Sequence, residues 1–405
     1  MQVLYFGLFC DKEEESEVIE NSNIGIQGAV ISFQWNLIEG LIANVECPLC
    51  ILNFLPVGTY PKYYKKILLK TVEWVHCFNS SIKTLGYINI VGVKQLIQFY
   101  RARVEIERWI KKTDDNNKCI VIYDIFFPYL IAVNSIKKKY PDIVTCSVVA
   151  DLPNEYGYNK NEKGIKGFLR KIMGRVQMME IKKIDCYALL TEQMKYPLSI
   201  HDKSYVVVEG IASSDVSFSE MEESGKKIIL YAGVLTSVYG IDNLVNAFMR
   251  IDNDDYELWL CGSGDYQEQI RQCAEKDNRI KFFGYIPKKT VYMLQNRATV
   301  LVNPRQNVGS YTKYSFPSKI MEYLASGRPV VAYELDGVPK EYYNYIQCVG
   351  DNSIEKLRET ILRVCELSFE ERSRIGNEGM QFVMKNKNAK VQCKIILDLI
   401  RRSFH

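Results

Sequence analysis

The chain has 405 residues, 47% hydrophobic and 25% charged, an ordinary composition for a globular protein long enough for two domains. Lys and Arg number 52 against 48 Asp and Glu, an excess too small to indicate a polyanion such as nucleic acid as partner. No apolar run reaches the roughly eighteen residues of a spanning helix. The first ten residues, MQVLYFGLFC, lack a positive n-region and a small-residue cleavage site, so they read as a first strand and not as a secretion signal.

In the first half, apolar runs at 3–10, 51–56, 119–124, 143–151, 186–191 and 205–209 read as strands. They are apolar almost throughout, as parallel strands covered on both faces are. Helical patterns fall between them at 27–41, 94–112 and 164–183. A Ser/Glu-rich stretch at 212–225 has no apolar period and reads as a linker. Beyond it, strands are expected at 227–233, 257–262, 280–284, 299–303 and 330–333, with helices at 240–250 and 318–326. Alternation of this kind predicts two doubly wound, Rossmann-like α/β domains, 1–210 and 226–385, joined by a linker at 211–225. Val391, Ile395, Ile396, Leu399 and Ile400 stripe a last helix within 386–405, which needs a partner and is expected to cross back to the first domain.

The 12 cysteines are scattered, and Cys47 with Cys50 forms the only C-x-x-C. No second pair completes a zinc site, so they read as reduced cysteines of a cytoplasmic protein. No D-x-D motif occupies a plausible loop: Asp114-Asp115 belongs to a polar turn, and 252–255 is a solvated loop. No metal or cofactor is therefore expected. None of His76, His201 and His405 is placed as a base.

Doubly wound domains bind ligands at the carboxyl ends of their strands, beside helix N-termini. The second half has glycines at three such junctions: Gly233 after the strand 228–231, Gly262 in Gly-Ser-Gly, and Gly284 followed by Tyr285 and Ile286. Each alone is weak, since glycine after a strand is usually just a turn. The run YSFPSKIMEYLASGRPVV over 314–331 is more specific. Pro317 suits a helix start and Gly327 a C-terminal cap. Ser318 and Lys319 occupy the first turn, where N–H groups, the helix dipole and the Lys319 ammonium would hold a diphosphate. Glu322, three residues on, lies on the same side and can accept from a vicinal diol such as a ribose. The plainer reading of Lys319 and Glu322 is a surface ion pair.

These motifs, over roughly 226–350, resemble the donor domain of family-4 GT-B glycosyltransferases, notably the bacterial enzymes of capsule, O-antigen and exopolysaccharide assembly. In the first half the likeness rests on Gly28 to Gly40 and on Asp151-Leu152-Pro153. The resemblance implies a GT-B fold whose two domains face across a cleft, and retaining, metal-independent transfer from a UDP- or GDP-linked sugar to a glycan or polyprenyl-linked acceptor in polysaccharide biosynthesis. It implies that Glu322 holds the donor ribose, that Ser318 and Lys319 face sugar and diphosphate, that Gly284, Tyr285 and Ile286 contact the base, and that Gly28 approaches the diphosphate.

Two departures stand out. Tyr314 occupies the place of the glutamate that usually binds the transferred sugar. Val234 and Tyr239 replace the Arg and Lys that commonly clamp the diphosphate, a loss Arg305, Lys313 and Lys319 could offset. Lys319, with Arg305 second, is the candidate for stabilising the leaving group. Asp151 either orients the acceptor or caps a turn. The departures also leave open a catalytically silent GT-B scaffold. An epimerase lacks the needed carboxylates and histidines, and no lysine suggests a pyridoxal site.

Between 159 and 185 cations outnumber acids, and Ile165, Phe168, Leu169, Ile172, Met173 and Val176 fall on one helical face. This is either a helix packed on the sheet with a solvated basic back, or an amphipathic helix on anionic lipid. Lys62, Lys65 and Lys66 would extend such a basic patch, placing the protein peripherally at the inner face of the membrane.

Overall fold

The computed structural model describes every residue except 24–27, 76–79, 114–116, 154–164, 214–224 and 405. Most of the expected linker, His76, His405, the Asp114-Asp115 turn and the start of the basic stretch lie outside the described residues. The chain divides into two compact units, Met1–Ile211 with Ala389–His405, and Ala212–Asn388.

In the first unit the elements run β1 (Gln2–Gly7), α1 (Lys12–Asn21), α2 (Gly28–Ile42), β2 (Cys50–Asn53), β3 (Leu68–Leu69), β4 (Val72–Val75), β5 (Ser81–Thr84) and β6 (Tyr87–Ile88). Then come α3 (Val93–Lys112), β7 (Lys118–Tyr123), α4 (Phe127–Lys139), β8 (Val144–Val149), α5 (Ile165–Ile181), β9 (Cys186–Leu189), α6 (Lys195–Leu198) and β10 (Ser204–Val207). Eight strands form one sheet in the order β10-β9-β8-β7-β1-β2-β5-β4. All pairs are parallel except the β4 edge, which runs antiparallel to β5. β3 and β6 form a separate two-stranded antiparallel pair. Every residue of β8 and β9 is buried, the double coverage that their unbroken apolar sequence requires.

The second unit contains β11 (Lys227–Ala232), α7 (Ile241–Met249), β12 (Tyr256–Cys261), α8 (Gln267–Lys276), β13 (Ile280–Gly284), α9 (Lys288–Arg297) and β14 (Val300–Asn303). It continues with α10 (Ser318–Ala325), β15 (Val330–Tyr333), β16 (Gln347–Val349), α11 (Ile354–Cys365) and α12 (Phe369–Asn386). Its sheet is wholly parallel, in the order β13-β12-β11-β14-β15-β16. Separate apolar clusters cover its two faces, one around Ile320, Tyr323 and Leu324, the other around Leu244, Phe248 and Ile361. The expected pair of doubly wound domains is thus present.

The last helix, α13 (Ala389–Arg402), packs on α2 of the first unit, as its apolar stripe demands. Two details fix this contact. A Cβ on Gly40 would lie 2.3 Å from the Ala389 carbonyl oxygen, so only glycine admits the helix so closely. Asn44 Nδ2 donates to the Lys390 carbonyl at 2.8 Å. Gly40, one end of the stretch on which the first-half likeness rests, is a packing residue.

Several elements depart from expectation. β1 stops at Gly7, short of residue 10, because the next residues turn to meet Gln34 and Asn53. The highly charged helix α1 has too little apolar patterning to stand out in the sequence. Lys66 pairs with its Glu17, and Lys65 Nζ donates to the Glu20 carbonyl at 2.7 Å. Those two lysines are thus engaged with α1 rather than standing as a basic patch with Lys62. On α5, Ile172, Met173 and Val176 are exposed, together with Met179. The helix instead packs with Ile181 buried and Gln177 Nε2 donating to the Ile125 carbonyl at 2.9 Å. The plainer reading, in which that apolar face lies on the sheet, fails for its described residues.

Candidate functional site

In each sheet the strand order reverses next to the first strand of the unit, between β1 and β7 and between β11 and β14. At such a point neighbouring crossovers leave in opposite directions and open a crevice at the carboxyl ends of the strands. In the second unit the loops after β11 and β14 border that crevice, and α10 begins beside it.

Helix α10 follows from its sequence. Ile320, Met321, Tyr323 and Leu324 are buried, while Ser318 is exposed and Lys319 and Glu322 are half-buried. The fully buried Tyr323 anchors it: its hydroxyl accepts from the Ala232 N–H at 2.9 Å and donates to the Ala232 carbonyl at 3.2 Å, at the end of β11. Pro317 is the N-cap and its carbonyl accepts from Ile320 N at 2.9 Å.

Lys319 Nζ lies 3.2 and 3.1 Å from the two oxygens of Glu322. Gln295 of α9, fully buried, donates from Nε2 to Glu322 Oε1 at 2.8 Å. The ion pair of the plainer reading therefore exists. Part-exposed pairs at this spacing contribute only about 0.5 kcal/mol, whereas hydrogen bonds to charged groups contribute about 1.5–3 kcal/mol. A ligand offering hydroxyls to Glu322 and an anion to Lys319 can thus replace the pair at small cost. Burial pushes the Cys261 thiol, at the end of β12, up to about 12, against a lesser lowering by the Lys319 ammonium. Lys319 therefore reaches the same edge of the sheet. Sequence reasoning missed Gln295 and Tyr323, although a glutamine in an otherwise apolar helical position is a signal for the first.

The glycine junctions are knitted together. Gly233 N donates to the Cys261 carbonyl at 2.9 Å, Leu235 N to that of Ser263 at 3.0 Å, and Gly262 N to that of Gly284 at 2.7 Å. Gly262 has φ 132°, and a Cβ there would sit 1.8 Å from the Gly233 oxygen. Glycine at 262 is required by the neighbouring loop, whatever binds above it. Beyond Gly284, Ile286 packs on the core while Tyr285 is 80% exposed.

Arg305, two residues past β14, is buried. Its guanidinium lies 5.4 Å from the Tyr239 ring centre and 4.7 Å from that of Tyr311, and Nη2 donates to Ser315 Oγ at 2.6 Å. Its buried Nε has no hydrogen-bond partner. The aromatic ring at 239 thus seats the cation at 305. Tyr311 and Ser315 complete this seat. Tyr314, half-buried, ends a short 3₁₀ turn, Ser310–Tyr314, leading to α10; Lys313 in that turn is exposed.

In the first unit Gly28 opens α2 and is exposed, and a Cβ added there would meet nothing within 4 Å. The loop after β1 is clamped from both sides. Gln34 accepts from Leu8 N at 2.8 Å and donates to its carbonyl at 2.6 Å, while Asn53 does the same for Phe9 at 2.9 and 2.7 Å. Asp151, just past β8, has an exposed face and acts on Asp124, just past β7. Burial first, and Asp151 second, raise the Asp124 carboxyl to about 7, although Asp124 Oδ1 accepts from Ile125 N at 2.8 Å. Asp124 is a carboxylate that sequence reasoning overlooked. Among the described residues no three His, Cys, Asp or Glu side chains converge as metal ligands would.

Residues 214–382 match the family described as Glycosyl transferases group 1. No curated protein is a significant sequence match. Among solved structures, a sucrose-phosphate synthase from Thermosynechococcus elongatus is similar over 100% of this chain and 99% of its own, with TM-score 0.64 and 14% identity. The lipopolysaccharide outer core galactosyltransferase WaaB, in its apo form, is similar over 99% of both chains, with TM-score 0.61 and 13% identity. Anabaena HepE in complex with UDP is similar over 99% of this chain and 100% of its own, with TM-score 0.63 and 10% identity. The fold is GT-B, and the stretch similar to the group 1 glycosyl transferases falls within the second unit.

Proposed function

We propose that this protein is a retaining, metal-independent glycosyltransferase that takes a sugar from a nucleoside diphosphate to a glycan or polyprenyl-linked acceptor in polysaccharide biosynthesis. The observation that carries this reading is Glu322, held by Gln295 and Lys319 at the start of α10 inside the group 1 domain. Glu322 takes the ribose hydroxyls, Ser318 and Lys319 meet the diphosphate, and Gly284, Tyr285 and Ile286 border the base. Gly233 and Gly262 shape the floor beneath. Tyr314 stands where the transferred sugar is expected.

Transfer breaks the bond from the anomeric carbon to the phosphate oxygen, and negative charge grows on the diphosphate. The Lys319 ammonium and the first turn of α10 stabilise it, with Arg305 behind them. Asp151 orients the acceptor hydroxyl.

The HepE structure holds UDP, which makes UDP the first nucleotide to test and GDP the second. Either should raise the thermal midpoint, and Glu322→Ala should abolish the rise. Hydrolysis across a panel of nucleotide sugars then identifies the donor. No shift with any nucleoside diphosphate would end the reading. Binding without turnover would favour a silent scaffold, the alternative supported by Arg305 lying buried in its aromatic seat.

A further inference from the structure

Segment 56–104 carries eight Lys or Arg and one acid, Glu73. It also presents large apolar side chains to solvent. Leu68 of β3 and Ile88 of β6 are directly paired, so they share one side of the strand pair, while Leu69 and Tyr87 are buried. The chain then passes through Val91 into α3, where Val93, Leu96 and Tyr100 recur at helical spacing on one stripe. Leu68 is 58% exposed, Val91 71%, Leu96 69% and Tyr100 66%. Arg101 Nη1 donates to Thr71 Oγ1 at 2.9 Å, joining the helix to the chain just after β3. Four exposed cations accompany them: Lys62 in the chain leading to β3, Lys70 directly after β3, and Arg101 and Arg103 on α3.

A surface meant only for water does not gather six large apolar side chains, and a segment with eight cations to one acid carries the charge that an anionic surface attracts. We propose that this face of β3, β6 and α3 docks on an anionic lipid surface, the apolar side chains entering the acyl boundary and the cations meeting the headgroups. It locates, on a surface apart from α5, the membrane contact that a lipid-linked acceptor requires, and so builds on the function proposed above.

The test is flotation of the full chain with phosphatidylcholine vesicles, with and without one third phosphatidylglycerol. The protein should partition onto the anionic vesicles only, and less at high salt. Lys62→Gln/Lys70→Gln/Arg101→Gln should weaken partitioning about a hundredfold, and Leu68→Ser/Leu96→Ser/Tyr100→Ser at least as much. All six side chains are exposed, so thermal midpoints and the nucleotide-induced shift should persist. Failure to float while that shift is present would overturn docking and leave the donor reading standing; flotation without any nucleotide shift would do the reverse. Docking here would also be overturned if both variants floated normally, or if only Ile172→Ser/Met179→Ser on α5 lost binding. The same holds if light scattering found a dimer that the apolar variant dissolves.

Discussion

Replacing Tyr323 with Phe removes one oxygen from the centre of the second unit and changes little else. That oxygen bridges the N–H and carbonyl of Ala232, at 2.9 and 3.2 Å, and ties α10 to the end of β11. Leaving a buried polar group without its partner costs about 1–3 kcal/mol. For a unit of this size, 1 kcal/mol lowers the midpoint by about 2–4 °C, so the expected fall is roughly 2–12 °C. Tyr231→Phe is the comparison, because its hydroxyl makes one hydrogen bond, to the Val234 carbonyl at 2.9 Å, in a less enclosed place. It should lose only about 1 kcal/mol. Differential scanning calorimetry of both variants, followed by titration with nucleotide, measures the two effects. Tyr323→Phe should also weaken nucleotide binding, since the first turn of α10 loses its anchor. An unchanged midpoint with unchanged nucleotide affinity would refute the claim that this hydroxyl positions α10.

Gly262→Ala should destabilise by more than about 3 kcal/mol in chemical denaturation, because the new Cβ meets a backbone oxygen of the adjacent loop, which cannot turn aside. Gln295→Leu should leave stability within about 1 kcal/mol of the parent, since the buried Oε1 of Gln295 is already unpaired, yet reduce nucleotide affinity by releasing Glu322. Asp124 offers a pH test. Its carboxyl holds a proton up to about pH 7 in the fold but only to about 3.8, its ordinary value, when unfolded. The folded state therefore binds the extra proton, so stability is full below pH 4 and is lost as the pH rises through 7. Asp124→Asn keeps an acceptor for the Ile125 N–H and should flatten the fall of the thermal midpoint between about pH 4 and 7.

Much of this protein is legible without coordinates. Unbroken apolar runs such as 119–124 and 143–149 declare parallel strands, because burial on both faces removes the need for polar alternation. The spacing of Pro317, Lys319, Glu322 and Gly327 likewise marks a short helix with charged groups near its start, as the structure has it. The amphipathic stripe from Val391 to Ile400 announces a helix in need of a partner.

Partners across the chain are another matter. That α13 finds α2, that Gln295 reaches Glu322, and that Tyr239 and Tyr311 enclose Arg305 depend on residues far apart in sequence meeting in the folded sheet. The edge strands β3, β4 and β6 escape a sequence reading because two to four residues carry too little periodicity. The apolar residues of α5 do fall on one face, but a helical period says only that residues share a side. Which side meets the protein and which meets its surroundings is decided by packing: Ile181 and Gln177 turn inward, and Ile172 and Met179 stay outside. For the run at 314–331, sequence alone determined the helix and its chemistry, since both are local. Only the tertiary structure decided what holds that chemistry in place: a tyrosine hydroxyl on a strand end and a buried glutamine on the neighbouring helix.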